Sequence, residues 1–430
     1  MAEKRRVHID TLGCRVNQYE SAAVAAELEK AGFSVVDDGA PCDLYVVNTC
    51  AVTAESERKS RQSIRRATSE NPRAGVIVMG CYSQLKAEEA ASLPGVIGVL
   101  GNRNKMRAAE IAAAFLAGKT APVRETPDVE SAPLEPMSIT HTENARAFVK
   151  IEDGCDNKCA YCIIKTARGN VVSRPTAEVC DEVRNLVAAG YREMVLTGIE
   201  TASYGKDTGE TLSGLIAAVA AVDGVERIRL GSLEPSVLTS DFVDFLASEP
   251  KFMPSLHLSL QSGSSTVLAR MRRRYNAEQA RVRIAYLKEK IPAVTLTCDL
   301  IVGFPGETEE EFLDTCALAR FAGFLHMHIF PFSAREGTEA AAMDGQIAKE
   351  VKIERAARLA KIGNDMADRV YESHAHYAGR VLWETYENGV NHGHTETMLE
   401  ASMPGEDLRG QTVRVRCVSI ENRTLLCERE

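Results

Sequence analysis

Between about residue 141 and residue 335 the chain repeats one unit six times, a short apolar strand-like run followed by a helical pattern. The runs fall at 148–151, 193–196, 227–230, 256–260, 294–301 and 325–330, and the stretch 277–290 after the fourth is a good example of the helices between them. Strands joined through helices pair in parallel, with the helices covering a face of the sheet. Eight such units close a barrel. Six predict an open, crescent-shaped partial (β/α)6 barrel. The fifth helix opens with Thr308-Glu-Glu-Glu311, a capping box in which hydroxyl and carboxylate satisfy free backbone N–H groups. Directly after the first strand comes Cys155-Asp-Asn-Lys-Cys159-Ala-Tyr-Cys162. Three thiolates on one loop can hold three irons of a [4Fe–4S] cube and leave the fourth open, whereas an electron-transfer cluster closes all four positions. A zinc loop or buried thiols are the alternatives, but zinc sites pair two short spacings into four ligands.

Residues 1–117 alternate strand and helix in the same way, with strands at 7–12, 44–48 and 75–79, and helices at 21–32 and 55–69. A parallel α/β domain follows. Cys14, Cys50 and Cys81 each come just after one of these strands. In a parallel sheet those ends share one edge, where such folds place ligands. The three thiols therefore converge in the expected fold, as a second three-ligand site or as buried strand-end thiols. Cys42, roughly 26 Å from Cys50 at about 3.3 Å per residue, cannot join them. Cys180, Cys298, Cys316, Cys417 and Cys427 show no ligand spacing and read as core thiols. From 118 to 140, Pro122, Pro127, Pro133 and Pro136 without apolar period predict a linker or surface excursion. A core domain spans 141–370. Residues 371–430 alternate like half-buried strands at 380–384, 397–400, 412–416 and 424–427, a small all-β barrel in outline.

The charged start carries no signal-peptide core and no run nears the roughly 20 apolar residues of a membrane span, so a cytoplasmic protein is expected. There, twelve cysteines are more naturally ligands and core thiols than disulfides. A net charge of −9 excludes indiscriminate polyanion binding and confines any nucleic-acid contact to local patches.

The triplet Cys155, Cys159, Cys162, with Tyr161 before its last cysteine, resembles the signature of radical S-adenosylmethionine (SAM) enzymes. The resemblance implies SAM chelated at the open iron and cleaved to a 5′-deoxyadenosyl radical, with the protein supplying orientation and exclusion of water. Two three-cysteine sites, an α/β domain, a partial barrel and a small β barrel together resemble the methylthiotransferase family along nearly the whole chain. That resemblance implies two [4Fe–4S] clusters and two SAM molecules, one methylating sulfur at the Cys14, Cys50, Cys81 cluster and the other making the radical. It also implies that the terminal barrel is a TRAM-like RNA-binding module and that a reducing protein such as a flavodoxin or ferredoxin supplies electrons. Leu12-Gly-Cys-Arg-Val-Asn-Gln-Tyr-Glu-Ser21, Gly231-Ser-Leu-Glu-Pro235 and Phe330-Pro-Phe-Ser-Ala-Arg-Glu-Gly-Thr338 resemble the branch acting on N6-threonylcarbamoyladenosine at position 37 of tRNA. Isopentenyladenosine in tRNA and a ribosomal-protein aspartate are the substrates of the other branches. A non-catalytic iron–sulfur redox sensor is the rival of another class.

By the same resemblance, Thr197, Gly198, Glu234, Gln261 and Gly303, all near strand ends, are the expected SAM contacts. Arg270, Arg272, Arg273 and Arg274 form the expected tRNA phosphate patch, with a second basic face at Arg58, Lys59, Arg61, Arg65 and Arg66. Recognition would splay a base out of the anticodon loop. The chain departs from its relatives at Lys165-Thr166 after the triplet and at Glu200. Residues 371–430 carry six Lys/Arg against ten Asp/Glu, a poor electrostatic match to RNA.

Overall fold

A computed structural model describes residues 5–119, 121–142 and 144–430; the charged start at 1–4 lies outside them. The first sheet has six parallel strands in the order Ser34–Val36, Arg6–Thr11, Leu44–Thr49, Gly75–Gly80, Val96–Leu100, Val123–Glu125. Its two central strands are buried along their whole length, as expected for strands covered on both faces. Val24 and Leu28 of helix Arg15–Lys30 and Ile111 of helix Ala108–Leu116 pack with Val46 and Ile77 on one face. Ile64 and Ala67 of helix Ala54–Glu70 pack with Val47 and Val78 on the other.

The stretch read as a linker is built into the body. Val123–Glu125 adds the sixth strand, and Val129, Met137 and Ile139 are buried. Glu135 accepts the backbone N–H groups of Lys105 (2.7 Å) and Met106 (2.8 Å). Prolines break periodicity but leave the intervening apolar side chains free to pack in an extended strap.

The next domain carries two three-stranded parallel sheets, Ala147–Lys150, Glu193–Thr197, Arg227–Leu230 and then Ser255–Gln261, Thr295–Val302, His326–Pro331. Single parallel bridges, Ile228 to Phe252 and Leu233 to Leu258, join them. Strand order follows chain order, and among the described residues no pairing joins the first strand to the last. This is the open crescent. Thr308 caps helix Glu309–Ala322 through the reciprocal box with Glu311, and helix Lys349–Ser373 buries Leu359 and Met366 in the same core.

The last domain is a closed five-stranded barrel, Ala378–Glu387, Val390–His394, Glu400–Pro404, Thr424–Arg429, Thr412–Glu421, around the fully buried Trp383. The strand expected at 397–400 begins only at Glu400. Glu396 and Thr397 form a turn closed by Met398 N–H on Thr395 O (3.1 Å), with Met398 at φ +63° and the Thr395 hydroxyl accepting Leu399 N–H (3.0 Å). The strand Val390–His394 was hidden because Asn391-His-Gly-His394 has no apolar alternation.

Candidate active site

The first crescent strand leads into a loop that turns at Gly154, where φ is +83° and a Cβ would stand 2.0 Å from Asn170 O. Only glycine fits there. Cys155 N–H donates to Gly169 O (3.0 Å) and Cys162 N–H to Cys159 O (3.0 Å), which folds the three cysteines onto one short loop. Asn157 N–H lies 3.4 Å from Cys155 Sγ, and Arg273 Nη1 lies 3.4 Å from Cys159 Sγ. Burial, more than the neighbouring negative groups, pushes Cys155 up to about 12 and Cys162 up to about 11. Thiols so placed ionise only when a cation arrives, which is what ligation to iron supplies. A cavity of about 450 Å³ opens beside Cys159 and Cys162.

Around this loop the strand ends carry a polar rim. Gly198 faces Glu152, whose Oε1 would be 1.9 Å from a Cβ there and accepts Glu200 N–H (2.7 Å). Thr197 beside it is buried. Glu234 accepts Asn157 Nδ2 (3.4 Å) and donates its backbone N–H to Glu200 (3.3 Å). Burial, then the Glu234 charge, pushes Glu200 up to about 7. Gln261 ends its strand at φ +65°, a strained placement for a non-glycine residue. Among the described residues Glu152 Oε2, Asn157 Oδ1 and Thr201 Oγ1 are buried without partners, as in a rim that a polar ligand completes. At Gly303, φ is +70° and a Cβ would meet Lys352 Cγ at 2.4 Å, so the observed neighbour is a lysine stem.

The arginine run does not form one patch. Arg272 takes φ +57°, and the turn sends Arg273 inward. Its side chain is 4% exposed, donates to Ser259 O (2.9 Å) and lies 3.4 Å from Glu234 Oε1, so it belongs to the cysteine loop and not to an RNA surface. Arg270 is held by both oxygens of Glu311 (2.9 and 2.7 Å), and Arg272 pairs with Glu339 (2.7 Å). Arg274 alone is exposed without a carboxylate partner among the described residues.

Cys14, Cys50 and Cys81 end three adjacent strands of the first sheet. Gly13 and Gly80, both at φ +103°, turn the chain immediately before Cys14 and Cys81. A Cβ on Gly13 would lie 3.0 Å from Cys50 Sγ, and one on Gly80 would lie 2.6 Å from Asn48 Oδ1. Asn17 Nδ2 bridges Leu12 O (2.7 Å) and Thr49 O (3.1 Å), and Ser60 holds the Cys50 backbone at both N–H and C=O. Burial raises Cys50, with Cys81 and Cys14 adding to the rise. Burial among the surrounding protein groups raises the Cys14 thiol too, against the pull of Arg168, although the residue keeps an exposed edge.

Arg168 was not foreseen. It sits on the short helix Ile164–Arg168 that follows the cysteine loop, is fully buried, and reaches across to the first domain. Its Nε lies 3.3 Å from Cys81 Sγ, its Nη1 contacts Glu20 and Asp153 (both 3.0 Å), and its Nη2 donates to Asn17 (2.6 Å). Lys105, Lys150 (2.7 Å to Glu20) and Arg103 (3.4 Å to Asp153) complete the cluster. Burial would raise Glu20, but Arg168, Lys105 and Lys150 hold it well below the usual carboxylate range. Four cationic groups thus face two carboxylates, an excess that suits an anionic centre at Cys81. Either cysteine trio is an all-sulfur, three-ligand set, the donor chemistry of an iron–sulfur cube.

Residues 6–101 match the model of Uncharacterized protein family UPF0004, and 149–319 that of the Radical SAM superfamily. A threonylcarbamoyladenosine tRNA methylthiotransferase, MtaB, from Bacillus subtilis is 38% identical over 95% of this chain and 93% of its own. MtaB from Thermotoga maritima is 37% identical over 97% and 96%. A tRNA-2-methylthio-N(6)-dimethylallyladenosine synthase from Aquifex aeolicus is 33% identical over 96% of both. Among solved structures, the radical S-adenosylmethionine methyltransferase TsrM from Kitasatospora setae superposes with a TM-score of 0.58 at 18% identity, covering 79% of this chain and 77% of that one. At that identity the likeness is one of fold.

Proposed function

We propose, from the premise that the chain belongs to the radical SAM tRNA methylthiotransferase family, that it converts N6-threonylcarbamoyladenosine at position 37 of tRNA to its 2-methylthio form with two SAM and two [4Fe–4S] clusters. The observation that carries the reading is the convergence of Cys14, Cys50 and Cys81 on one sheet edge, tied through Arg168 to the loop of Cys155, Cys159 and Cys162. Two sites joined by one rigid buried network suit a reaction in which one substrate atom must meet both.

When bound, SAM and the clusters supply hydrogen abstraction and the methylthio group. The chain's own residues hold and orient them. Cys155, Cys159 and Cys162 would ligate one cube, with Arg273 and Asn157 N–H directed at its thiolates. Cys14, Cys50 and Cys81 would ligate the other, with Arg168 and Asn102 (3.6 Å) directed at Cys81. Thr197, Gly198, Glu234, Gln261 and Gly303 are the proposed SAM contacts. Among the described residues no helix is long and apolar enough to cross a membrane; we place the protein in the cytoplasm with its tRNA and with a flavodoxin- or ferredoxin-like reductant. Arg274 is the one member of the arginine run retained as an RNA contact.

Nucleoside profiling of tRNA from a deletion strain tests the substrate. The methylthio form should vanish and threonylcarbamoyladenosine accumulate; an unchanged pool, or loss of methylthiolated isopentenyladenosine instead, removes the assignment. Anaerobically purified protein should contain about eight iron and eight sulfide per chain, and about four of each would remove the second cluster.

A further inference from the structure

The helix Ile164–Arg168 starts just after Cys162, yet its last side chain ends at the other cysteine trio. The first domain clamps its final turn, with Asn102 Nδ2 donating to Ala167 O (2.7 Å) and Arg103 Nη2 to Arg168 O (2.8 Å). Gly169 then turns the chain at φ +78°, where a Cβ would stand 2.3 Å from Val129 O. The guanidinium is held as firmly as the backbone. It carries five N–H groups in a rigid fork. Nη1 donates to Glu20 and Asp153 (both 3.0 Å), and Nη2 to Asn17 (2.6 Å) and Glu20 (3.1 Å). The Nε–H is left over, and its partner is Cys81 Sγ at 3.3 Å.

A fully buried, immobile positive charge therefore touches one sulfur of the strand-end trio. Among the described residues no other cationic group hydrogen-bonds to a sulfur of this trio; the second donor at Cys81 is the neutral Asn102 amide (3.6 Å). Lys105, Lys150 and Arg103 stand behind Arg168 around the same two carboxylates. The loop trio has its own arginine, because Arg273 lies 3.4 Å from Cys159 Sγ. An iron–sulfur cube gains one negative charge on reduction, and hydrogen bonds to its sulfurs and the charges around it set its potential. A fixed cation donating to a ligand thiolate stabilises the more negative state, and a dry interior strengthens that effect.

We infer that Arg168 raises the reduction potential of the cluster held by Cys14, Cys50 and Cys81 and leaves that of the loop cluster unchanged. It is a positioning residue that acts through Cys81, supplied by the helix of one site to tune the other. The inference rests on the two-cluster reading above and adds what the shared arginine does for it.

The test is a redox titration of the anaerobically reconstituted whole chain, poised with dithionite through mediators and read by electron paramagnetic resonance. Each cluster takes up one electron, and Cys50→Ala and Cys159→Ala assign the two signals. Arg168→Met should move the strand-end midpoint to a more negative value by at least a tenfold change in the reduction equilibrium, about 59 mV for one electron. The loop midpoint should stay in place. Arg168→Lys keeps a charge for Glu20 and Asp153 but has no Nε–H, and should move the same midpoint by less. A strand-end midpoint unmoved in both variants, or a shift shared equally by the two clusters, overturns the inference and leaves the two-cluster reading standing. If Arg168→Met loses the strand-end iron, Arg168→Lys decides by the same criterion. A wild-type chain with one cluster signal and about four irons overturns both.

Discussion

The two cysteine trios each bring three thiols together, but in opposite ways. Cys155, Cys159 and Cys162 sit on one loop of eight residues, so their convergence is local and needs only the turn at Gly154. Cys14, Cys50 and Cys81 are brought together by the register of three parallel strands, so their convergence is a property of the whole first sheet. Their surroundings differ in the same sense. The loop trio lies among carboxyls that burial raises, Glu152 and Glu200, while the strand-end trio lies against a hub with surplus positive charge. A local site can change its chemistry cheaply, whereas a topological one is tied to the fold that makes it.

If the division of labour holds, the largest effects are complete losses. Cys159→Ala should abolish cleavage of SAM to 5′-deoxyadenosine and, with it, all product. Cys50→Ala should keep reductive cleavage, lose about half the iron and yield no methylthio nucleoside. Chromatographic assay of deoxyadenosine and nucleosides in the two folded variants decides it. Loss of cleavage in both would erase the distinction between the sites.

The next effect tests the bridge between the trios. Arg168→Met leaves Glu20 and Asp153 buried with fewer partners and removes the donor at Cys81. Glu20 keeps Lys105 and Lys150, and Asp153 keeps Lys150 and Arg103, so what is lost is charge-assisted hydrogen bonding, worth roughly 1.5–3 kcal/mol per bond, and denaturant unfolding should register a loss of that order. A loss below about 1 kcal/mol would mean the hub contributes little and that the trios are independent neighbours.

The sequence made the loop trio legible because ligand spacing needs no fold, and the strand-end trio because three strand-like runs each end in a cysteine. A further signal stood in plain text, since Gly13, Gly80 and Gly154 each precede a cysteine of one of the trios and each takes a positive φ. The crescent followed from counting units. What stayed hidden came from long-range partners. Arg168 lies 87 residues from Cys81 and 148 from Glu20, and no local pattern marks it. Four arginines in five positions beside a strand end read as a phosphate-binding patch, and only the left-handed turn at Arg272 sends Arg273 inward. In the terminal barrel, Gly393 lets Leu382 O approach to 2.0 Å of where a Cβ would be, a packing demand invisible to hydropathy.

The smallest effect sharpens the contrast through pH. Glu200 is pushed up to about 7 from an ordinary 4.5 by burial and Glu234, so between those values the folded chain binds more protons than the unfolded one. Stability must then fall as pH rises from 4.5 through 7, because ionising the carboxyl in place exposes a buried charge next to another. Glu200→Gln removes that titration. It should match wild type below pH 4.5 and exceed it at pH 8 by at most about 3 kcal/mol, less whatever Arg273 recovers for the ionised form. Glu20, held well below its ordinary value, predicts the reverse, a contribution present at neutral pH and lost only on acidification. Denaturant unfolding of wild type and Glu200→Gln from pH 4 to pH 8 measures the difference. Parallel curves across that range would mean that the loop trio's surroundings are no less tolerant of charge than the hub, and the contrast between the two sites would reduce to chain topology alone.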